Sequence, residues 1–568
     1  MKRSVFRVVK HEVLIASCFL LWGIALRIYQ FPNVPPGLNQ DEAAIAYEAY
    51  SLLLTGADRW GNPLPVYFPA WGSGQNVLYA YLSIPIVWLF GLNSFSARAV
   101  NLLFGLLLLP LQYVCTKRMY GRTIALAATS LTAILPWHVM LSRWGLEANL
   151  FPFFLLLGTY TVSLALTDHS RKVTRIFALI PWAISFYAYG VALIILPTLL
   201  LLVALSYRKD ILKKRGQWLT AILLFLLIVF PLIAFAIKNN LLHRDLGFEK
   251  FLPFSIPLLP SQRLAQVSGD NLVERLSTNI QFLLGGFEDG LIWNSIPEFP
   301  PLLMIAFPFL GIGFIALIRQ FLLTKKADLF LLLLISCIPL FLLIELNVNR
   351  ANAIFIPIIG ISTIGFFELF NAIALATSIV VLKNQGDGEI APPARGSLPA
   401  LRPNTSDYGY VSLTSFTSLR NTLALSVAGW LLVSSLYFSN YYFQNYPDSI
   451  SYAFNAGLEN ALDKTVELSK EKEKILISQR LSKSLPYIYI LFYFKQDPRI
   501  FQANSNYMVN EKGGFEVRRF DRFYFKQEWL SLQPKETFIY LIKKGDRPPC
   551  KNSNLLYKDR EWRVGRCG

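Results

Sequence analysis

The chain has 568 residues, 54% of them hydrophobic and 16% charged, with a mean hydropathy of +0.42. A soluble domain carries about 25% charged residues, so this composition excludes an ordinary water-soluble fold. A formal net charge of +18 would suggest nucleic acid, but the basic residues fall in short clusters between apolar runs, which is the positive-inside pattern of a polytopic membrane protein.

Lys2, Arg3, Arg7 and Lys10 precede the first apolar run without a small-residue cleavage site after it, so 13–29 reads as an uncleaved first span. Further spans are expected at 97–116, 123–141, 149–167, 173–189, 191–206, 217–237, 301–318, 327–345, 352–371 and 421–439. Runs such as Leu219–Phe235 and Leu329–Ile344 approach the roughly 20 apolar residues that cross a bilayer. The stretch Val77–Leu92 is different: it contains Pro85 and follows Trp71-Gly72-Ser73-Gly74. If it does not cross, 22 Lys/Arg lie in cytoplasmic segments, and the short outer connections hold only Arg143 and Arg350. If it does cross, every later basic cluster moves outside, against the orientation bias. It is therefore expected as an interfacial or re-entrant helix. Eleven spans remain, with the N-terminus cytoplasmic and 30–96, 238–300 and 440–568 outside a plasma (inner) membrane.

Residues 1–382 thus form a transmembrane module. Residues 383–420, with Asn384-Gln385-Gly386-Asp387-Gly388, Pro392, Pro393, Pro399 and Pro403, read as a flexible cytoplasmic linker before the last span. From 440 the composition changes. A charged helix over Glu459–Lys474 and strands at Ile475–Ser478 and Phe538–Ile542 predict a small α/β domain outside the membrane. Cys18, Cys115 and Cys337 lie in apolar runs as small hydrophobes. Cys550 and Cys567 flank a polar stretch and can pair in an oxidising compartment. His11, His138, His169 and His243 are scattered and suggest no zinc site.

The acidic residues of the outer loops carry the functional reading. In Pro35-Pro36-Gly37-Leu38-Asn39-Gln40-Asp41-Glu42, a short helix begins, with Ile45, Ala49, Leu52 and Leu53 at helical spacing and Gly56 at its end. Asn39 with Glu42 three residues later fits a capping box. Equally, a carboxylate at the membrane surface can act as general base on an acceptor hydroxyl. The short loop Leu141-Ser142-Arg143-Trp144-Gly145-Leu146-Glu147 puts a second acid on the same side. Arg143 and Glu147 can pair with each other at i,i+4, or serve as a phosphate ligand and a second acidic group. Arg350 can snorkel to headgroups or bind a phosphate. Glu288-Asp289 reads as a solvated turn or a sugar contact. The outer-loop aromatics (Trp60, Tyr67, Phe68, Trp71, Tyr79, Tyr81) form an interfacial belt, some of it able to stack on sugar rings.

An acidic pair opening a short helix that ends in Thr55-Gly56-Ala57-Asp58 resembles the GT-C glycosyltransferases. The nearest likeness is to the family of protein O-mannosyltransferases and lipid A aminoarabinose transferases. The stretch Leu89-Phe90-Gly91-Leu92-Asn93-Ser94-Phe95-Ser96-Ala97-Arg98 and the Arg143–Glu147 loop resemble that family too, over roughly residues 10–240. The resemblance implies juxtamembrane helices in the first outer loop, a polyprenyl-phosphate sugar as donor and transfer with inversion to a hydroxyl of a protein, lipid or glycan. It assigns Asp41 as base or acceptor-orienting carboxylate with Glu42 beside it, Glu147 as the second acid, and Arg143 near the donor phosphate. The aminoarabinose transferases carry a lysine where this chain has Gly72-Ser73-Gly74-Gln75-Asn76, so charge neutralisation falls to Arg143, Arg350 or Arg59. The repeated sugar-binding motifs of the mannosyltransferases are not seen in the C-terminal domain. No cofactor is expected beyond the lipid-linked donor, and no residue cluster demands a metal. A transporter or flippase for lipid-linked saccharides is the alternative; it predicts charges inside the spans and internal repeats. A third reading is a receptor whose C-terminal domain does the work.

Overall fold

The computed structural model describes residues 2–70, 74–167, 169–259, 272–384, 413–477, 486–509, 515–525 and 536–568. The first long helix, α1 (Lys2–Ile28), leads into the outer loop. There α2 (Gln40–Thr55) starts at Asn39 and stops at Gly56, whose φ of +70° is a left-handed cap that glycine adopts without strain. Next comes α3 (Leu78–Phe90), the apolar stretch around Pro85. Its 13 residues span about 20 Å, well short of a hydrocarbon core of about 30 Å. It packs against α2 and α4 (Ser94–Tyr120) and leaves Trp88, Leu89 and Phe90 exposed at its tip. A capping box between Asn93 and Ser96 starts α4.

Several expected spans are broken rather than continuous. The 123–141 segment divides into α5 (Arg122–Ile134) and α6 (Pro136–Leu141). The 173–189 segment divides into Lys172–Phe177 and Ile180–Ser185, and 327–345 into Leu329–Ser336 and Ile338–Leu343. Each break falls at a proline (Pro136, Pro181, Pro339), which lacks the N–H needed in a helix interior but suits a first turn. Among the described residues, five helical stretches are individually long and apolar enough to cross a membrane: Ser94–Tyr120, Glu147–Ala165, Arg215–Leu242, Ala306–Thr324 and Asn352–Ile373. The second of these joins a 3-10 turn, Glu147–Leu150, to α7 (Phe151–Ala165). The chain is a multi-pass membrane protein.

Close packing in the second half rests on glycine. A Cβ on Gly313 would run into the Ile361 carbonyl, and one on Gly365 into that of Phe309, so the helices Ala306–Thr324 and Asn352–Asn384 meet backbone to backbone. Helix extends to Asn384 and resumes at Leu413, which trims the expected linker at both ends; 385–412 lie outside the described residues. The last expected span lies within Leu413–Gln444.

The C-terminal domain carries a seven-stranded mixed sheet of order β2-β3-β4-β1-β5-β7-β6. The strands are β1 (Lys474–Ile477), β2 (Asn506–Val509), β3 (Phe515–Phe520), β4 (Phe523–Tyr524), β5 (Phe538–Lys543), β6 (Ser553–Lys558) and β7 (Trp562–Cys567). Central β1 runs parallel to β4 and β5, and the remaining pairs are antiparallel. Strand β5 is buried along its whole length, its apolar run Phe538–Ile542 ending in Lys543, whose Nζ donates to the Tyr452 carbonyl and Asn455 Oδ1. The strands expected at 475 and 538 are β1 and β5, with Ser478 outside the described residues. The expected helix over Glu459–Lys474 is shorter, Leu458–Leu468, because Glu473 turns back to bind Arg566 and Lys474 already belongs to the sheet. Cys550 and Cys567 form a disulfide, with their Cα atoms 6.0 Å apart.

This domain sits directly on α2 and the turn after it. Tyr47 Oη donates to the Gln496 carbonyl at 2.8 Å, Arg499 Nη2 to that of Leu54 at 2.8 Å, and Gln502 Nε2 to that of Asp58 at 2.8 Å. Trp60 packs among Tyr487, Phe501, Tyr507 and Phe515, its ring centroid 4.9–6.1 Å from theirs.

Candidate active site

The N-terminus of α2 is the centre of a buried polar network. Asn39 Oδ1 accepts the Asp41 N–H at 3.0 Å, and Glu42 Oε2 accepts the Asn39 N–H at 2.9 Å, which completes the capping box. Glu42 is fully buried and does more than cap. Arg98, near the start of α4, grips it in a two-point ion pair, Nε to Oε1 at 2.7 Å and Nη2 to Oε2 at 2.9 Å. The Gly145 N–H also donates to Oε1 at 2.7 Å. A carboxylate offers about four acceptor positions, and all of Glu42's are filled. The same Arg98 donates to the carbonyls of Pro32, Pro35 and Gly37. Paired and hydrogen-bonded on every side, the two buried charges avoid the cost of an isolated ion. Together they join the outer loop, α2, α4 and the turn before Glu147.

Asp41, one residue earlier, is half-buried in the first turn of α2. It lies close enough to Tyr489 of the C-terminal domain for its charge to help hold that phenol protonated, after the larger effect of burial. Asn455 Nδ2 donates to the Tyr489 hydroxyl at 2.7 Å. Glu147 opens the 3-10 turn, is buried, and accepts from Gln75 Nε2 at 3.2 Å. Asn101 of α4 holds the preceding turn through the carbonyls of Trp144 (2.6 Å) and Leu146 (3.0 Å), and Asn352 donates to that of Ala148 at 3.2 Å. A side chain at Gly145 would collide with the Ala97 carbonyl, so this close approach of turn to helix needs glycine. The two acidic segments expected to share a site are therefore in direct contact, through Glu42 and the Gly145 amide.

The three arginines expected at a phosphate are placed very differently. Arg143 is buried, and its five N–H donors all go to main-chain carbonyls at the end of α1: Leu26, Arg27, Tyr29 and, twice, Val34. The rings of Tyr442 and Phe443 cover its guanidinium. All five donors are thus used within the fold. Arg59 is buried beside Glu48 of α2 (3.0 Å) between the rings of Trp60 and Tyr487, beneath the C-terminal domain. Arg350 is half-buried, and among the described residues its side chain makes one hydrogen bond, Nη1 to the Glu345 carbonyl at 2.6 Å. Its loop is fixed by Asp289, which accepts the Val348 N–H at 3.0 Å, the amide of Asn294 at 2.9 Å and the hydroxyl of Ser295 at 3.1 Å. The Glu288-Asp289 turn thus anchors the loop that presents Arg350.

Sequence reasoning passed over Arg98 and Glu48. Arg98 sits inside the expected span 97–116, and an ionised group there is costly unless paired. Glu48 falls on the same helical stripe as Ile45, Ala49 and Leu52, which buries it. Burial pushes its carboxyl up towards neutrality, and Arg59 pulls it partly back. Among the described residues, no group of three His, Cys, Asp or Glu stands together as a metal would need.

Residues 75–235 match the family model described as dolichyl-phosphate-mannose-protein mannosyltransferase. No curated protein matches the chain. Among solved structures, ArnT from Cupriavidus metallidurans in the apo state superposes with a TM-score of 0.53 at 13% identity, covering 99% of this chain and 98% of that one. The fold is that of the GT-C glycosyltransferases. ArnT bound to undecaprenyl phosphate matches with a TM-score of 0.50 at 12% identity, over 98% of this chain and 97% of that one. Both alignments run through the C-terminal sheet domain, so the GT-C likeness includes it.

Proposed function

We propose that this chain transfers a sugar from a polyprenyl-phosphate-linked donor to an acceptor hydroxyl, with inversion, on the extracytoplasmic side of the plasma membrane. The observation that carries the reading is the convergence of the Asp41 helix start and the Glu147 turn, built around the Glu42–Arg98 pair, within a GT-C fold. The donor class is supported by the family model, named for dolichyl-phosphate-mannose, and by the ArnT structure that holds undecaprenyl phosphate. The eleven-span topology belongs to the same proposal. The lysine and arginine distribution supports it, and a disulfide between Cys550 and Cys567 fits an oxidising compartment.

In the proposed step the acceptor oxygen attacks the anomeric carbon from the face opposite the phosphate. The bond from that carbon to the phosphate oxygen breaks, polyprenyl phosphate leaves, and the hydroxyl proton passes to Asp41. Phosphate is already a good leaving group, so the site's task is to place acceptor and donor and to hold the departing charge. Arg350 carries that charge; Glu147, oriented by Gln75, positions the acceptor or sugar. Glu42, Arg98, Arg143 and Arg59 set the geometry.

The test uses purified full-length protein and a panel of polyprenyl-phosphate sugars, following release of free polyprenyl phosphate. Release by wild type that Asp41→Asn abolishes and Glu147→Gln strongly reduces, with both variants folded, supports the reading. Release that neither variant changes overturns the site, and vectorial movement of the intact lipid-linked sugar without release would favour a flippase.

A further inference from the structure

The end of the helix bundle remote from Asp41 carries a cavity of about 410 Å³ that the proposed reaction does not use. Lys172, Lys213, Lys214, Arg215, Gln217 and Thr220 line it, together with Gly216. No acidic residue is among them. Asp210 approaches Lys213 only to 3.8 Å, and among the described residues Lys172, Lys214 and Arg215 have no ion-pair partner. Gln217 has its side-chain oxygen occupied by Arg175 at 3.2 Å, which leaves its NH2 to donate. The helix Arg215–Ala236 begins here with no side-chain cap, so its first N–H groups add to the positive field. The space over Gly216 is open.

The position of this cavity says what it meets. At the far end of the same helix, Phe235 stacks on Tyr67 of the first outer loop, with ring centroids 4.4 Å apart. Twenty residues of helix separate Arg215 from Phe235, about 30 Å, which is the thickness of a hydrocarbon core. The cavity thus opens at the headgroup level of the leaflet opposite the Asp41 site. Directly beyond it, Leu219, Ile222, Leu223, Leu226, Leu227 and Phe230 of the same helix are exposed along the lipid-facing side. An open hollow ringed by cations, three of them without an acidic partner among the described residues, and continued by an apolar stripe fits one molecule, with an anionic head and acyl chains.

We propose that this cavity binds the phosphate of an anionic phospholipid headgroup, its acyl chains lying along the exposed face of the helix that starts at Arg215. The cations neutralise the phosphate, Gln217 and the helix N–H groups hydrogen-bond it, and the apolar stripe makes a lipid, rather than free phosphate, the occupant. The site needs no part of the glycosyl-transfer reading.

The test is native mass spectrometry of the full chain released from nanodiscs with phosphatidylglycerol, phosphatidylcholine or a mixture of the two, with inorganic phosphate as a soluble competitor. The expected result is one retained phosphatidylglycerol in preference to phosphatidylcholine, undisturbed by millimolar phosphate. Removing three cations in Lys172→Gln/Lys214→Gln/Arg215→Gln should weaken retention roughly 100-fold. The control Arg208→Gln/Lys209→Gln removes charge from the same segment but not from the cavity lining, and should retain the lipid. Equal retention of the two lipids, equal loss in both variants, or displacement by phosphate would each overturn the proposal. If the triple variant does not fold, the wild-type lipid comparison and Lys214→Gln alone decide it.

Discussion

Asp41 and Glu42 are adjacent in sequence, yet the structure gives them opposite surroundings. Glu42 is enclosed by Arg98 and two backbone amides, whereas Asp41 is half-buried at the helix start. Glu42→Gln leaves the buried Arg98 cation facing a neutral amide and should cost about 3–5 kcal/mol of stability, read as a fall in thermal unfolding temperature. Asp41→Asn should remain folded while lowering turnover at least about 100-fold. An unaltered unfolding temperature for Glu42→Gln, or full turnover for Asp41→Asn, would contradict this division. Glu48 gives a pH prediction. Its carboxyl titrates higher in the folded protein than in the unfolded chain, so from about pH 4.5 towards neutrality the folded state binds the extra proton and stability falls as pH rises. Glu48→Gln should flatten that slope in unfolding temperatures taken between pH 5 and pH 7.5. The carboxylate pair was legible in the sequence because it opened a capped helix in an otherwise apolar chain. That Glu42 is bound up in a buried ion pair was not, because Arg98 lies 56 residues away and only the fold brings it to Glu42.

At the level of elements, Arg143 and Gly145 build the turn between α6 and α7 through backbone contacts. Arg143 fastens this turn to the end of α1, and Gly145 lets it approach α4. Gly145→Ala should displace the turn, costing about 1–3 kcal/mol and lowering kcat, because the Glu42 contact moves with it. Arg143→Met should destabilise the protein without a selective rise in the KM for donor. Arg350→Ala should do the reverse, leaving thermal unfolding unchanged and raising the donor KM at least about tenfold, the usual scale for a charge-assisted hydrogen bond. A rise confined to Arg143→Met would return the phosphate to that residue. Hydropathy found the helical stretches but not their interruptions, since an apolar window averages across Pro136, Pro181 and Pro339. The prolines themselves were visible, and each marks a helix restart.

Across the whole molecule, the C-terminal domain and the first outer loop form one continuous body. Its central strands were legible as apolar runs, but its seat on α2 was not: Tyr47 and Gln496 stand 449 residues apart and leave no local pattern. Trp60→Ala removes the ring packed against Tyr487, Phe501, Tyr507 and Phe515. It should cost about 3–5 kcal/mol and raise protease cleavage and amide exchange in both α2 and residues 486–509; protection unchanged in either segment would show that the two are not held together there. That seat also imposes an order of events on synthesis. A ribosome adding about 5–20 residues per second needs roughly 20–90 s to pass from Tyr47 to Gln496. Throughout that interval the helix bearing Asp41 lacks its cover, and Arg59 has only half of its aromatic enclosure. The first outer loop is therefore complete only once the last fifth of the polypeptide has arrived to cover Tyr47, Leu54 and Asp58.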